Sequence, residues 1–213
     1  MTRPMTHLAR FRRLALLAAS TTVITGGVLL PTSAFAAPAT PPAAATAAVA
    51  DAAARWTQTT DDPSGVMAEL PGDAQTQKDT VNGFQARTYQ VNTDYGVIGF
   101  VVYDAPSGGG QWDLKGSLKN ALDNYNKDSR SADDRLTGHD VRESTTDGGQ
   151  PVLDADLSTG DGTAGHTRFV DLGDHLVQIE VLGTKDAQKT MDADYRQSLS
   201  SLQLPSGTTT RSS

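Results

Sequence analysis

The segment His166–Leu182, HTRFVDLGDHLVQIEVL, decides the fold. Val177, Ile179 and Val181 alternate with Gln178 and Glu180, the period of two expected of a strand with one apolar face. His166–Leu172 reads as a second strand, and Gly173-Asp174 between them is a two-residue hairpin signal. Strands joined this tightly must run antiparallel. The hairpin sets Leu172 opposite His175, which places His166 about 20 Å from His175.

The same signals continue toward the N-terminus. Val152–Ser158 alternates, with Leu153, Ala155 and Leu157 on one face and Asp154 and Asp156 on the other. Leu136–Thr145 reads as a strand that ends at Asp147-Gly148-Gly149. Phe84–Val91 and Tyr95–Tyr103 are strands joined by Asn92-Thr93-Asp94. The second carries Val97, Ile98, Phe100, Val101 and Val102, apolar on both faces, and is expected at the sheet interior. Gly65–Leu70 is a short strand stopped by Pro71-Gly72.

Two segments break the alternation. Leu114, Leu118, Ala121, Leu122 and Tyr125 make one stripe of a helix, and Met191, Tyr195, Leu199 and Leu202 make another. Asp186 and Asp192 stand near the start of the second, where the helix dipole favours acids. The expected fold is α+β, an antiparallel sheet packed by two helices in an α/β/α-type sandwich. Leu122→Asp or Leu199→Asp is therefore expected to destabilise it.

With the strand and turn Gly-Val-Met-Ala-Glu-Leu-Pro-Gly (65–72) at one end and Ser-Leu-Ser-Ser-Leu-Gln-Leu (198–204) closing the last helix, the order of elements resembles the PsbP-like fold over 65–204. That fold is shared by a photosystem accessory protein, a nuclear Ran-binding protein and exported bacterial lipoproteins of unassigned role. The resemblance implies a binding or assembly module and carries over no catalytic residue. The lipidated cysteine of the lipoprotein members is missing here, which implies a released protein.

Composition bounds the chemistry. The chain has 213 residues, no Cys and a formal net charge of −7. Disulfides, iron–sulfur clusters, thiol catalysis and Cys-based zinc sites are thereby excluded. MTRPMTHLARFRR (1–13) is basic, an uncharged apolar run follows, and Ala34-Phe35-Ala36 fits the small-x-small cleavage rule. Residues 1–36 are expected to be a signal peptide cleaved near Ala36, giving a secreted protein without a stable membrane anchor. Loss of Arg3, Arg10, Arg12 and Arg13 with the leader leaves 14 basic against 25 acidic side chains, a net of −11. Such a surface repels nucleic acid and anionic lipid.

Residues 37–55, rich in Ala, Pro and Thr, read as a spacer; 56–204 is expected to be a single α+β domain, and 205–213 a disordered tail. A domain on the order of 150 residues buries enough surface to fold without disulfides.

The mature chain holds three histidines, His139, His166 and His175. His139, near a strand entrance, and His175, beside a turn, are expected to be solvated polar residues, and His166 and His175 stand too far apart to share a metal. The nucleophile-elbow pattern G-x-S-x-G is absent; Ser107, in Ala105-Pro106-Ser107-Gly108-Gly109-Gly110, is its nearest imitation and reads as a flexible connection. Asp154–Asp161 superficially resembles a calcium loop, but its glycine is one place late, no Glu closes it, and its alternation argues for strand. Asp154 and Asp156 are read as a solvated acidic face. Trp56 and Trp112 offer no stacking platform, and Trp112 is placed to cap the core.

No catalytic, cofactor-binding or metal-ligating residue is therefore assigned, and no cofactor is expected. The expected function is a secreted, non-enzymatic protein-binding or assembly module. The alternative is a secreted hydrolase whose site is assembled from residues scattered in sequence. A structural domain displayed on the spacer is a third possibility.

Overall fold

A computed structural model describes residues 55–106 and 110–205. The expected leader, nearly all of the spacer, Ser107 and the tail after Pro205 lie outside the described residues. The elements run β1 (Thr57–Asp61), β2 (Val66–Leu70), β3 (Gln75–Val81), β4 (Phe84–Asn92), β5 (Gly96–Asp104), α1 (Leu114–Asn126), β6 (Thr137–Thr145), β7 (Pro151–Ser158), β8 (Thr163–Asp171), β9 (His175–Thr184) and α2 (Gln188–Ser201). A 3-10 turn, Lys185–Ala187, leads into α2.

Seven strands form one antiparallel sheet in the order β3-β4-β5-β9-β8-β7-β6, and β1 and β2 form a separate antiparallel pair. The path explains the order. The chain meanders inward from β3 to β5, α1 carries it across to the far edge at β6, and a second meander returns it to β9 beside β5. The β8–β9 hairpin forms as the sequence predicts: the Leu172 N–H donates to the His175 carbonyl at 2.9 Å, and Gly173 turns with φ +80°. β5 is an interior strand, flanked by β4 and β9.

Two strands, β1 and β3, have no counterpart in the sequence reading. Both are nearly devoid of apolar residues. They are held by backbone pairing to β2 and β4, and β3 is an exposed sheet edge.

Apolar residues sort by face. Along β9, Val177, Ile179 and Val181 join a cluster with Met191 and Tyr195 of α2, while Leu176 and Leu182 join one with Leu114 and Leu118 of α1. The β1–β2 pair belongs to the α2 side, contributing Val66, Ala68 and Leu70. It is tied to the end of α2 by the Ser198 hydroxyl, which donates to the Glu69 carbonyl at 2.9 Å, and by the Glu69 N–H, which donates to Ser201 Oγ at 2.8 Å.

Asp113 caps α1, accepting from the Gly116 N–H at 2.9 Å. Trp112 precedes it and holds the helix start to the β8–β9 hairpin: its indole N–H donates to the Gly173 carbonyl at 3.1 Å and its ring lies 5.1 Å from Phe84. The acids near α2 differ from expectation. Asp186 sits in the 3-10 turn, and Asp192 lies beyond the first turn of α2, which contains no acid.

Candidate functional site

All three described histidines are tied to aspartates. Nδ1 of His175, in β9, lies 3.0 Å from Asp104 of β5. Nδ1 of His166, in β8, lies 2.8 Å from Asp156 of β7, and its Nε2 lies 2.9 Å from Asp192 of α2. Nδ1 of His139, in β6, lies 3.0 Å from Asp140. Among the described residues, no Ser or Thr hydroxyl bonds to any of them. His166 pairs with Val181, six residues along β9 from His175, so the expected wide separation holds.

The cross-strand register His139–Asp156–His166 lines these three side chains up on the face that α2 packs against. α2 packs on β9, β8 and β2 but has no substantial contact with β7 or β6, which leaves this row open at its outer end. A β-bulge between His139 and Arg142 breaks the β6–β7 pairing there. Its residue Asp140 has φ +49°, and its neighbour Val141, 44% exposed, is the exposed large apolar side chain among the described residues. Among the described residues the other non-glycine with positive φ is Asn82, in the Asn82-Gly83 turn between β3 and β4, where that conformation is ordinary. In the middle of a strand it is not, and bulges serve to re-aim side chains.

Asp154 and Asp156 are therefore not a solvated acidic face. Both are partly buried and engaged: the Arg168 guanidinium donates to Asp154 at 2.7 and 3.0 Å, next to the Asp156–His166 contact. The pairing across β7 and β8 supplies the partners, a long-range fact that the period of two does not contain. The superficial calcium run is strand to Ser158, as its alternation predicts. Tyr195 stacks on His166 at 5.3 Å, and its buried hydroxyl has no hydrogen-bond partner. Burial, and next the Asp154 charge, hold that phenol protonated well above its ordinary range.

A second polar cluster lies under the β1–β2 pair. Asp61 is fully buried and accepts from Arg87 Nε at 2.6 Å, from the Tyr89 hydroxyl at 2.8 Å, and from Ser64. Arg87 also donates to both oxygens of Asp104, at 2.6 and 2.7 Å. Burial alone would raise the Asp61 carboxyl, but the bonds from Arg87, Ser64 and Tyr89 bring it below its usual range. Arg87, followed by its charge and His175, lowers Asp104 against the effect of burial. Every group here is satisfied by another, the pattern of a structural clamp.

Glu180 sits on the α1 side of β9 and accepts from the Gln178 side chain at 3.0 Å. Burial pushes its carboxyl up to about 7, against the lowering effect of that bond. The native state thus holds this proton to higher pH than the unfolded chain. Its stabilising contribution is complete below the ordinary value of 4.5 and is lost as the pH rises through about 7. Glu180→Gln removes the titration. The variant is expected to exceed the parent by about 1–3 kcal/mol at pH 8 and by little at pH 4.5. Thermal melts at the two values check this; equal melting temperatures at pH 8 would mean a solvated carboxylate.

An open cleft of about 380 Å³ lies at the start of α1, lined by Gln111, Trp112, Lys115, Glu143 and Pro151. It contains no histidine.

No protein-family model matches the chain, and no curated protein matches it. Among solved structures, the chain is similar to the solution structure of cyanobacterial PsbP (CyanoP) from Synechocystis sp. PCC 6803, at 13% identity. The match covers 71% of this chain and 93% of that one, with a TM-score of 0.54. The fold is PsbP-like.

Proposed function

We propose that the chain is exported and acts as a non-enzymatic binding or assembly domain, an α/β/α-type sandwich whose partner is a protein. The observation that supports this best is the use made of its histidines. Both nitrogens of His166 face carboxylates, His175 belongs to the clamp around Arg87, His139 is bonded to Asp140, and among the described residues no Ser or Thr hydroxyl bonds to any of the three. Nucleophilic catalysis of the serine type needs a hydroxyl within hydrogen-bond reach of the histidine that takes its proton. The open ends of the sheet face instead present side chains on a bulged edge, with Val141 at its tip.

The leader pattern, the low basic content of the mature chain and the PsbP-like fold support the same reading. Among the described residues, no helix is long and apolar enough to cross a membrane.

The purified domain, incubated with culture fluid and envelope from the producing cells, should retain a defined protein. Val141→Lys should weaken that retention at least about tenfold, a loss of about 1.4 kcal/mol, with melting unchanged. Hydrolysis of an ester, peptide or glycoside reporter that disappears in a single His→Gln variant would decide for the hydrolase.

A further inference from the structure

We propose that His139, Asp140 and Asp156 form a binding site for a divalent first-row transition ion of the zinc class. The site lies on the surface assigned above to partner binding and deepens that reading, but its chemistry stands on geometry alone. It also departs from the sequence-based expectation that no residue of this chain ligates metal.

One ligand atom from each of the three side chains lies within 4.8 Å of the others. Ligand atoms around a tetrahedral ion at about 2.0–2.2 Å stand about 3.3–3.6 Å apart, so small side-chain rotations close the site. His139 Nδ1 and Asp140 Oδ2 are already 3.0 Å apart.

The backbone explains how neighbours in sequence come to share a site. In a regular strand, successive side chains point to opposite faces, so His139 and Asp140 would diverge. The bulge and the positive φ of Asp140 cancel that alternation and bring both carboxylate and imidazole beside Asp156, the cross-strand partner of His139.

Asp156 is held in place from behind. One of its oxygens faces His166 Nδ1; the ring of His166 is fixed in turn by Asp192 and by stacking on Tyr195. Carboxylate–imidazole pairs of this kind orient metal ligands.

The donor set selects the ion. One imidazole and two carboxylates balance a double positive charge and suit zinc or its neighbours, whereas calcium and magnesium require more oxygen donors. His139 and Asp140 are largely exposed, which leaves room for water or a partner's side chain to complete the coordination.

Isothermal titration of the metal-free full chain with Zn²⁺ tests the proposal without any partner. One equivalent should bind. His139→Ala and Asp140→Gly should each weaken binding at least about tenfold; glycine tolerates the positive φ and so retains the bulge. His175→Gln should bind as the parent does, and a tenfold excess of Ca²⁺ or Mg²⁺ should not compete. Absence of binding, unchanged affinity in His139→Ala or Asp140→Gly, or loss in His175→Gln would overturn the site. Zinc binding without partner retention would leave the site standing and the proposed function refuted. Partner retention by a parent chain that binds no zinc would do the opposite.

Discussion

Arg87→Met is expected to cost the domain about 3–5 kcal/mol, a large share of the roughly 5–15 kcal/mol that holds a domain of this kind together. The guanidinium is the cation that faces two aspartates, one of them with no solvent exposure. Methionine fills similar volume but leaves Asp61 charged, buried and supported by Tyr89 and Ser64 alone. The β1–β2 pair should loosen first, because Asp61 is its link to β4. Adding Asp61→Asn removes the stranded charge and should recover part of the loss, which simple loss of packing would not.

The same cluster sets the acid limit. Asp61 and Asp104 titrate below their ordinary value, so the stability they supply is present above about 3.8 and lost as the pH falls through their lowered native values. Urea denaturation of the single and double variants at neutral pH checks the energies. Parent-like stability in Arg87→Met would mean that water reaches Asp61.

Met191→Asp should be comparably severe. Met191 has no solvent exposure, and its sulfur lies 2.5 Å from where a Cβ on Gly183 would stand. Glycine at that place in β9 is what lets α2 seat against the sheet. A carboxylate there has neither room nor partner and costs several kcal/mol. Leu118→Asp tests α1 in the same way, since Leu118 is buried against the opposite cluster. Leu122 and Leu199, the positions the helical stripes first suggest, are only partly buried, and their variants should be milder. If Met191→Asp melts like the parent, α2 does not pack as described.

What was legible in the sequence follows from what each element must bury. β5 and β9 are core strands, and their apolar residues announce them; the stripes of α1 and α2 do the same at helical spacing. β3, Gln-Thr-Gln-Lys-Asp-Thr-Val, buries almost nothing and needs only the backbone of β4. Its side chains therefore carry no period to find. β1 is similar, and the worth of Asp61 depends on Arg87, 26 residues away.

The candidate site was hidden for a related reason. Asp156 and His166 are legible as strand residues, but their contact is a matter of register. Asp192 reads as a helix-start acid; the 3-10 turn moves the start of α2 so that it meets His166 instead. Asp140 left one clue: a residue type that tolerates positive φ, following Gly138-His139 inside a strand.

The claim that this domain works by binding through the bulged end of its sheet meets its most direct test in site-specific photo-crosslinking. A photoreactive residue is placed at Val141 in one version of the full chain and at Gln77, on the opposite sheet edge, in another, each expressed in the producing cells. A discrete protein adduct is expected from position 141 and not from position 77. Adducts from position 77 alone, or identical patterns from both, would contradict it.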